Sequence, residues 1–301
     1  MFDQNLIVFL DGKYLSLAEA EISPATHSLH YGTAVFEGIR AYNPKGEVAI
    51  FRLDDHIKRL FYSAGVMKMK VPFSEQELQK ACLEVIKKNG LSSAYIRPLV
   101  FYDDASLGIT TVNNKVRVLI MAWDWGKYLA ESVRVKISSL RRVSEQSSVM
   151  DAKISGHYAN SFLATMEVKK AGFDEALLLD GCGAIAEGPG ENIFFVKGKK
   201  LYTPTAGKIL PGITRNSVVS LAEDLQYEII EKDIFPKELD FFEGAFFTGT
   251  AAEITPIESI ELIDGKVVKF DGRQGGDIKK NFFDLLSGRK RDEFNWLTYV
   301  K

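Results

Sequence analysis

Apolar and polar positions alternate along the chain with two periods, one typical of strands and one typical of helices. The apolar run at residues 6–10, followed by Asp11-Gly12, predicts a β-hairpin, since Asp-Gly favours a two-residue turn. Residues 43–46 (Asn-Pro-Lys-Gly) predict the turn of a second hairpin. Six more short apolar runs predict strands at residues 94–102, 116–123, 133–140, 175–180, 193–196 and 245–247. The run at 116–123 predicts a strand buried on both faces.

Helices are predicted where apolar residues recur every three or four positions. One begins near Leu53, with Asp54 or Asp55 as the expected N-cap. Residues 74–77 (Ser-Glu-Gln-Glu) form a capping box, which predicts the start of a second helix that ends at Asn89-Gly90. Three further helices are predicted, at residues 157–171, 210–225 and 277–286.

The alternation of strands and helices indicates an α/β protein of the α+β type. The chain has 301 residues, is 46% apolar and 26% charged, and so has room for two domains with ordinary cores. We predict an N-terminal domain at 1–123, an interdomain loop at 124–131 and a C-terminal domain at 132–301.

Charge and cysteine content narrow the function classes. A formal net charge of −2 favours neither nucleic acid nor an anionic membrane surface. Cys82 and Cys182 form no CxxC and no metal-ligand spacing, so we expect free thiols, no metal site and a reducing, cytoplasmic compartment. The N-terminus lacks the pattern of a signal peptide, and no apolar run has the length of a membrane span.

The stretch at residues 151–160 is the first candidate for chemistry. Lys153 stands there among small neighbours that would let its amine approach a flat ring. A lysine amine condenses with an aldehyde and, once released, moves a proton. A lone lysine is far more often a solvated surface charge, so Lys153 needs support from the rest of the chain.

Other candidates lie in the first half. Tyr95 and Arg97 are two residues apart in a strand and so point the same way, an arrangement suited to a carboxylate or to an edge-strand charge pair. Arg59, beside an apolar helical stripe, is either solvated or directed at a phosphate. Residues 30–40 favour a core strand over a pocket wall. The aromatics at 124–131 could close over a small apolar substrate.

Three loops in the second half suit an anionic ligand. Residues 186–192 contain two acids and two glycines, which fit a solvated turn or a buried carboxylate that holds a pyridine nitrogen protonated. Residues 210–215 open a helix whose N–H groups could bind phosphate, although many helices begin this way without a ligand. Residues 248–253 form a loop of small residues with two hydroxyls. The absence of GxxxxGK[ST] and GxGxxG argues against a nucleotide triphosphate or a dinucleotide.

In combination these segments resemble the fold-type IV pyridoxal phosphate (PLP) enzymes, and most closely the branched-chain amino-acid aminotransferases. The resemblance runs along nearly the whole chain in the family's order. It rests on seven segments, at residues 31–40, 56–60, 94–98, 153–158, 187–192, 210–215 and 248–256. It implies a two-domain fold with an N-terminal α/β sandwich and a C-terminal pseudo-barrel, and a homo-oligomer, a dimer at least and a hexamer in some relatives.

The resemblance also implies roles for individual residues. Lys153 would be the catalytic Schiff-base lysine. The other cofactor contacts would be Tyr158 at the ring hydroxyl, Glu187 at the pyridine nitrogen, and Arg59, Ile213, Thr214 and Thr250 at the phosphate. The substrate contacts would be Tyr95, Thr250 and Ala251 at the α-carboxylate, Arg97 at the side-chain carboxylate of glutamate, Phe36, Trp125 and Tyr128 in the apolar pocket, and Tyr31 between the sites. His157 departs from the polar residue of some relatives, which leaves substrate preference open.

The activity that the resemblance implies is ping-pong transfer of the amino group of L-leucine, L-isoleucine or L-valine to 2-oxoglutarate. Two enzymes of the same fold are alternatives, a D-amino-acid aminotransferase and an aminodeoxychorismate lyase. A non-catalytic PLP-binding protein is a third.

Overall fold

The computed structural model describes residues 2–111, 113–126 and 129–301. The chain divides into two compact units, Met1–Gly126 with Ala152–His157 and Leu285–Lys301, and Lys127–Asp151 with Tyr158–Asp284. Two short segments from the second half of the chain thus belong with the first unit, because both pair with its strands. The predicted domain bounds follow chain order instead, and they stay a prediction.

The described residues form sixteen strands in two eight-stranded sheets. In chain order they are β1 (Ile7–Leu10), β2 (Lys13–Ser16), β3 (Ala34–Phe36), β4 (Ile39–Tyr42), β5 (Ala49–Phe51), β6 (Ala94–Tyr102), β7 (Val116–Trp123), β8 (Val133–Arg141), β9 (Glu175–Leu179), β10 (Asn192–Lys197), β11 (Lys200–Thr203), β12 (Glu228–Glu231), β13 (Gly244–Gly249), β14 (Glu253–Glu261), β15 (Val267–Lys269) and β16 (Leu297–Tyr299). Both predicted hairpins and all six other predicted strands are confirmed.

The first unit holds an antiparallel sheet in the order β16-β5-β4-β6-β7-β1-β2, with β3 also paired to β6. The second unit holds a mixed sheet in the order β12-β11-β10-β13-β14-β8-β9, with β15 on β14. In this second sheet β8 runs parallel to both β9 and β14, and β11 runs parallel to β12. The mixed α/β class with two sheets agrees with the sequence prediction.

Six α-helices occur in the described residues. They are α1 (His27–Tyr31), α2 (Leu53–Val66), α3 (Glu75–Lys88), α4 (Tyr158–Lys170), α5 (Ile213–Asp224) and α6 (Gly276–Leu286). The capping box before α3 is confirmed, with the Ser74 hydroxyl accepting from the Glu77 N–H. None of the helices described has both the length and the apolar character that crossing a membrane requires.

The predicted N-cap of α2 is wrong. Arg52 occupies that position in the left-handed region (φ 53°), and Asp54 and Asp55 lie inside the first turn. There the two carboxylates face the positive end of the helix dipole and favour the helix without capping it. The Arg52 conformation is held by its N–H, which donates to the Trp296 carbonyl at 2.7 Å.

The core of the first unit lies between its sheet and the helices α2 and α3. Helix α2 contributes Leu53, Ile57, Leu60 and Ala64, all buried. The prediction that β7 is buried on both faces is wrong, because only its alternate residues Val118, Ile120 and Ala122 are fully buried. Helix α3 packs on that face of the strand, and the opposite face is only half-covered.

Phenylalanines dominate the core of the second unit. Phe195 and Phe247 are fully buried together with Ile257 and Ile260 on β14. Ala164 and Val168 of α4 form a smaller cluster with β9. Strands β10 and β13 pair in this core, so the loops at their ends are set in position by buried backbone.

Candidate active site

Lys153 lies in a short segment of the first unit that is held against β3 and α2. Its N–H donates to the Ser63 hydroxyl on α2 (2.9 Å), and its carbonyl accepts from the Phe36 N–H at the end of β3 (3.2 Å). The next residue, Ile154, forms a β-bridge with Val35. The side chain is half-buried, with its Nζ 5.1 Å from the centre of the Phe36 ring. The backbone is therefore fixed and the amine is partly shielded, as covalent chemistry requires.

Two glycines permit this docking. Gly32 ends α1 with φ +65°, and a Cβ there would lie 2.8 Å from the Gly156 Cα. The Gly156 N–H donates to the Gly32 carbonyl at 3.1 Å. A side chain at Gly32 would therefore push the segment of Lys153 away. Gly156, which also lacks a side chain, lets the two backbones touch. The prediction that Gly156 also leaves space for a flat ring next to Lys153 stays a prediction.

A buried ion pair holds Arg59. Its Nε donates to Glu37 Oε1 at 2.7 Å and one terminal nitrogen donates to Glu37 Oε2 at 2.8 Å, the two-point geometry typical of arginine with a carboxylate. His56 Nδ1 also donates to Glu37 Oε2, at 2.7 Å. Glu37 and His56 are fully buried, and the side chain of Arg59 is mostly so. The alternative that Arg59 is a solvated charge is wrong.

The charges of this cluster follow from its contacts. Burial by itself would raise the pKa of the Glu37 carboxyl, but Arg59 and His56 outweigh it and hold that pKa well below its usual range. Burial lowers the pKa of His56, although Glu37 opposes the change. The imidazole is therefore neutral at pH 7, and its Nδ1–H is a donor to a charged carboxylate.

Tyr95 and Arg97 point to the same side of β6, as predicted. A terminal nitrogen of Arg97 donates to the Tyr95 hydroxyl at 3.2 Å, and the guanidinium carbon lies 4.7 Å from the centre of the Phe36 ring. The edge-strand alternative is wrong, since β6 lies between β4 and β7. A Cβ at Gly38 would lie 2.0 Å from the Tyr95 hydroxyl, so only glycine fits beneath it. Arg97 Nε is buried and has no hydrogen-bond partner among the described residues.

The predicted aromatic wall is partly assembled within the same unit. The Trp125 ring stacks on Tyr95 at 4.7 Å, and the Phe36 ring contacts both Lys153 and Arg97. Tyr31 is exposed, and its hydroxyl donates to the Leu107 carbonyl at 2.6 Å. Tyr128 lies outside the described residues.

The second unit contains another buried acid. Glu187 Oε1 pairs closely with Arg142 Nε, and Oε2 accepts from the Asn192 amide and from the Leu210 N–H, both at 3.1 Å. These three donors come from separate parts of the chain, so the carboxylate is held from several directions. The solvated-turn alternative is wrong for Glu187, which is buried.

Asn192 joins two of the predicted ligand loops. Its amide donates to Glu187 and also to the Leu210 carbonyl at 2.9 Å. A Cβ at Gly212 would lie 1.9 Å from the Asn192 side-chain oxygen, so the loop at 210–212 needs glycine to approach this closely. The N-terminus of α5 is thereby placed beside the acid loop.

Helix α5 begins with Gly212 as its N-cap, which has no side chain to satisfy the first N–H groups. The amides of Ile213 and Thr214 are in this first turn, where anions bind readily. The loop with Thr250 and Ala251 joins β13 to β14, and a Cβ at Gly249 would lie 3.1 Å from the Gly190 carbonyl. The acid loop therefore adjoins both anion-suited loops.

Tyr158 is the first residue of α4, directly after His157. The start of that helix is attached to β8, because the Asn160 amide donates to the Arg141 carbonyl at 3.0 Å. Arg142, the partner of Glu187, follows immediately along the chain. Tyr158 is half-buried in this part of the second unit.

Reasoning from sequence missed the partners of the two acids. Glu37 and His56 appeared in the family motifs without a role, and Arg142 and Asn192 carried no prediction of a contact. A glutamate within the apolar run 34–39 is a usable signal, since an acid is seldom buried without a cation. Arg142 lies 45 residues before Glu187, and no local pattern marks that pairing.

Comparisons with known proteins agree with this geometry. Residues 34–260 match the model of the family described as amino-transferase class IV. The branched-chain-amino-acid aminotransferase of Pseudomonas aeruginosa is 42% identical, over 100% of this chain and 99% of that protein. The crystal structure of the Escherichia coli branched-chain amino acid aminotransferase superposes with a TM-score of 0.93 at 37% identity, covering 98% of this chain and 99% of that chain.

A third comparison is with a complex. The T.th. branched-chain amino acid aminotransferase bound to N-(5'-phosphopyridoxyl)-L-glutamate is 40% identical and superposes with a TM-score of 0.90, covering 98% of each chain. The resemblance and the fold class predicted from sequence are both confirmed. The chain belongs to the class IV amino-transferase family.

Proposed function

We propose that this protein is a PLP-dependent branched-chain-amino-acid transaminase. It transfers the amino group of L-leucine, L-isoleucine or L-valine to 2-oxoglutarate in a ping-pong cycle that yields a branched 2-oxo acid and L-glutamate. The relatives in Pseudomonas aeruginosa and Escherichia coli are named for this activity, and the matches cover 99% and 97% of those proteins. The T.th. complex holds a phosphopyridoxyl group joined to glutamate.

The residues present fit PLP. When bound, PLP acts as an electron sink for the bonds at the substrate α-carbon. Glu187 is a buried acceptor held by three donors, which suits a protonated pyridine nitrogen. The glycine cradle at Gly212 brings the uncapped start of α5 beside it. Tyr158 would donate to the ring hydroxyl.

The phosphate would be held by Arg59, by the amides of Ile213 and Thr214, and by Thr250. Guanidinium and helix N-terminal amides are both preferred phosphate donors. These contacts would place the cofactor without taking part in proton transfer.

Lys153 would hold the cofactor through its amine and be displaced by the amine of the substrate. Freed, it would take the proton from the substrate α-carbon and return it to the cofactor carbon. Its backbone is fixed by the hydrogen bond to Ser63, so the amine moves only by side-chain rotation. The Phe36 ring shields the amine from water on one side.

Substrate recognition follows from β6. Tyr95, with Thr250 and Ala251, would bind the α-carboxylate. Phe36, Trp125 and Tyr128 would enclose an aliphatic side chain, with Tyr31 between the cofactor and this pocket. Arg97, whose guanidinium lies near the rings of Phe36 and Tyr95, would bind the distal carboxylate of glutamate. An apolar wall with one arginine therefore accommodates both kinds of side chain.

We infer that the protein is a homo-oligomer, a dimer at least and a hexamer as the larger assembly. Helix α4 exposes three large apolar side chains on one face, Phe162, Leu163 and Met166, with 62%, 56% and 52% of their surfaces accessible. Such a patch favours burial against another copy. Phe162→Glu should sediment as a smaller species than the wild type in analytical ultracentrifugation.

The partners are otherwise small amino acids and 2-oxo acids, with no nucleic acid and no membrane. We propose a cytoplasmic location, which the free thiols of Cys82 and Cys182 support.

The main structural support for the proposed activity is the Glu187 carboxylate. It is hydrogen-bonded by Arg142, Asn192 and the Leu210 N–H, next to the start of α5, which has no side-chain cap. The experiment is an absorbance spectrum of the purified protein before and after L-leucine. The visible band of the lysine-bound cofactor should disappear with L-leucine and return with 2-oxoglutarate. Discharge by D-alanine alone, or release of pyruvate from aminodeoxychorismate, would replace the substrate assignment. Failure of added PLP to produce any band would reject the role of Lys153.

A further inference from the structure

We propose that Glu37 is a positioning residue that fixes the Arg59 guanidinium for the phosphate of the cofactor, with His56 as its second support. This rests on the proposed function, in which Arg59 contacts the phosphate. Neither Glu37 nor His56 is expected to touch cofactor or substrate. Their effect would be on where Arg59 is directed and how far it can move.

Glu37 is itself firmly placed. It lies between β3 and β4, which both pair with β6, and its N–H donates to the Pro98 carbonyl on β6 at 2.9 Å. Its side chain is fully buried. A carboxylate on so fixed a backbone imposes its own position on whatever pairs with it.

Arg59 has the longer side chain of the pair, with more rotatable bonds than Glu37. The two-point contact with Glu37 takes two of its five N–H donors and fixes the plane of the guanidinium. A long side chain would otherwise sample several rotamers, and binding an anion would then cost conformational entropy. The pair therefore removes that cost before the phosphate arrives.

His56 donates to Glu37 Oε2, the oxygen that also accepts from the terminal nitrogen of Arg59. It precedes Arg59 by three residues on α2, so both side chains leave the same face of the helix. One further turn along this face, the Ser63 hydroxyl accepts from the Lys153 N–H. Helix α2 thus supports the proposed phosphate contact and the proposed reactive lysine from one surface.

A purely structural role for the cluster is the competing explanation. A buried ion pair is weak evidence for stability, because desolvation offsets most of the attraction. The two roles differ in one measurable respect. A positioning role affects ligands that carry a phosphate, whereas a structural role affects PLP and its dephosphorylated form, pyridoxal, alike.

The test compares the dissociation constants of PLP and pyridoxal, measured by fluorescence quenching of the full chain after removal of cofactor. Glu37→Gln should lower the preference for PLP over pyridoxal by about 10- to 100-fold, the range expected for a charge-assisted hydrogen bond. Glu175→Gln is the matched control, since Glu175 is also a fully buried glutamate, and its preference should equal that of the wild type.

An equal loss of PLP and pyridoxal affinity in Glu37→Gln would overturn the proposal. If that variant does not fold, His56→Asn decides the question, because it removes one contact of Glu37 and leaves the ion pair. A preference lowered several-fold supports positioning, and an unchanged preference rejects it. Arg59→Lys separates the two levels of inference. If Arg59→Lys keeps the wild-type preference for PLP over pyridoxal, the Arg59–phosphate contact itself is wrong, and the proposal for Glu37 fails with it.

Discussion

Each unit of the molecule buries a glutamate against an arginine. The two pairs differ in which partner, the arginine or the glutamate, is proposed to contact the ligand. In the first unit Glu37 is surrounded, and Arg59 is the proposed ligand contact. In the second unit Arg142 is the support, and Glu187 is the proposed ligand contact. In the proposed function, the same kind of ion pair would therefore serve a phosphate in the first unit and a protonated ring nitrogen in the second.

The partners of each pair account for this difference. Among the described residues, the hydrogen bonds of Glu37 are with Arg59, His56 and the Pro98 carbonyl on β6, so its charge is neutralised inside the unit. Glu187 is held by Asn192 and the Leu210 N–H as well as by Arg142, and those donors belong to the loop before α5 and to the residue that contacts it. In the proposed function, the acid is therefore the support in the first unit and the ligand contact in the second.

The largest effect is expected from a change that leaves both pairs intact. Lys153→Ala should keep the fold and lower steady-state turnover at least about 1000-fold, since the proton carrier is lost. PLP should still bind, without the visible band, because the phosphate contacts remain. Turnover, circular dichroism and equilibrium dialysis of PLP measure the three outcomes. Near-normal turnover would reject the mechanism.

Glu187→Gln should lower turnover by roughly 100- to 1000-fold, the range for loss of one preorganised electrostatic contact. Its loss of PLP affinity relative to pyridoxal should be small, unlike that of Glu37→Gln. Steady-state kinetics and the two dissociation constants test the contrast. If both glutamine variants show the same pattern, the opposite roles assigned to the two acids are wrong.

The stability that the wild type has over Glu37→Gln should depend on pH. The pKa of Glu37 lies below its usual range in the folded state, so its contribution is present above about pH 4.3 and is lost as the pH falls toward the folded-state value. At pH 7 the variant should lose about 3 kcal/mol of unfolding free energy, because one partner of a buried pair is removed. The loss should shrink in acid, as urea denaturation at several pH values would show.

Glu175 provides the opposite case. Burial raises the pKa of its carboxyl, against smaller contributions from the Ala176 N–H, Lys169 and Thr165. Its contribution is present below the usual glutamate pKa and is lost as the pH rises through the folded-state value. Glu175→Gln should therefore be as stable as the wild type at pH 7 or more so. A loss there equal to that of Glu37→Gln would mean that the two sites are alike.

A smaller loss than that of Glu37→Gln is expected where the loop before α5 touches Asn192. Gly212→Ala places a methyl group against the Asn192 amide and should lose about 2 kcal/mol of unfolding free energy, the usual size of an overpacking effect. Gly190→Ala, where a Cβ would meet nothing within 4 Å, is the control and should change stability little. Thermal denaturation of both variants is sufficient. Equal melting temperatures would remove the argument for a required close approach.

Local features of the fold were predictable from sequence where the cause is local. The Asp11-Gly12 turn, the capping box at Ser74 and the strand β6 need only neighbouring residues to form. The N-cap of α2 was not predictable in this way. Arg52 holds its left-handed conformation through Trp296, 244 residues later, and no local rule anticipates that contact.

The candidate site divides along the same line. Periodicity in β6 is enough to place Tyr95 and Arg97 on one side of a strand, because side chains alternate whatever the tertiary fold. The choice between a central and an edge strand required the sheet order. The acid at Glu187 was visible as a candidate, but the sequence left open whether it is solvated.

By itself the sequence determined the class of the protein and the order of its elements, and its resemblance to a known family supplied candidates for PLP chemistry. The elements depend on local periodicity and short motifs, which involve neighbouring positions, and the resemblance depends on the order of seven such motifs along the chain. Only the tertiary structure decided that Arg59 pairs with Glu37, that Arg142 pairs with Glu187, and that Gly212 touches Asn192. Such contacts join residues 20 or more positions apart, and because polar or charged groups are buried in each, they depend on the surrounding fold.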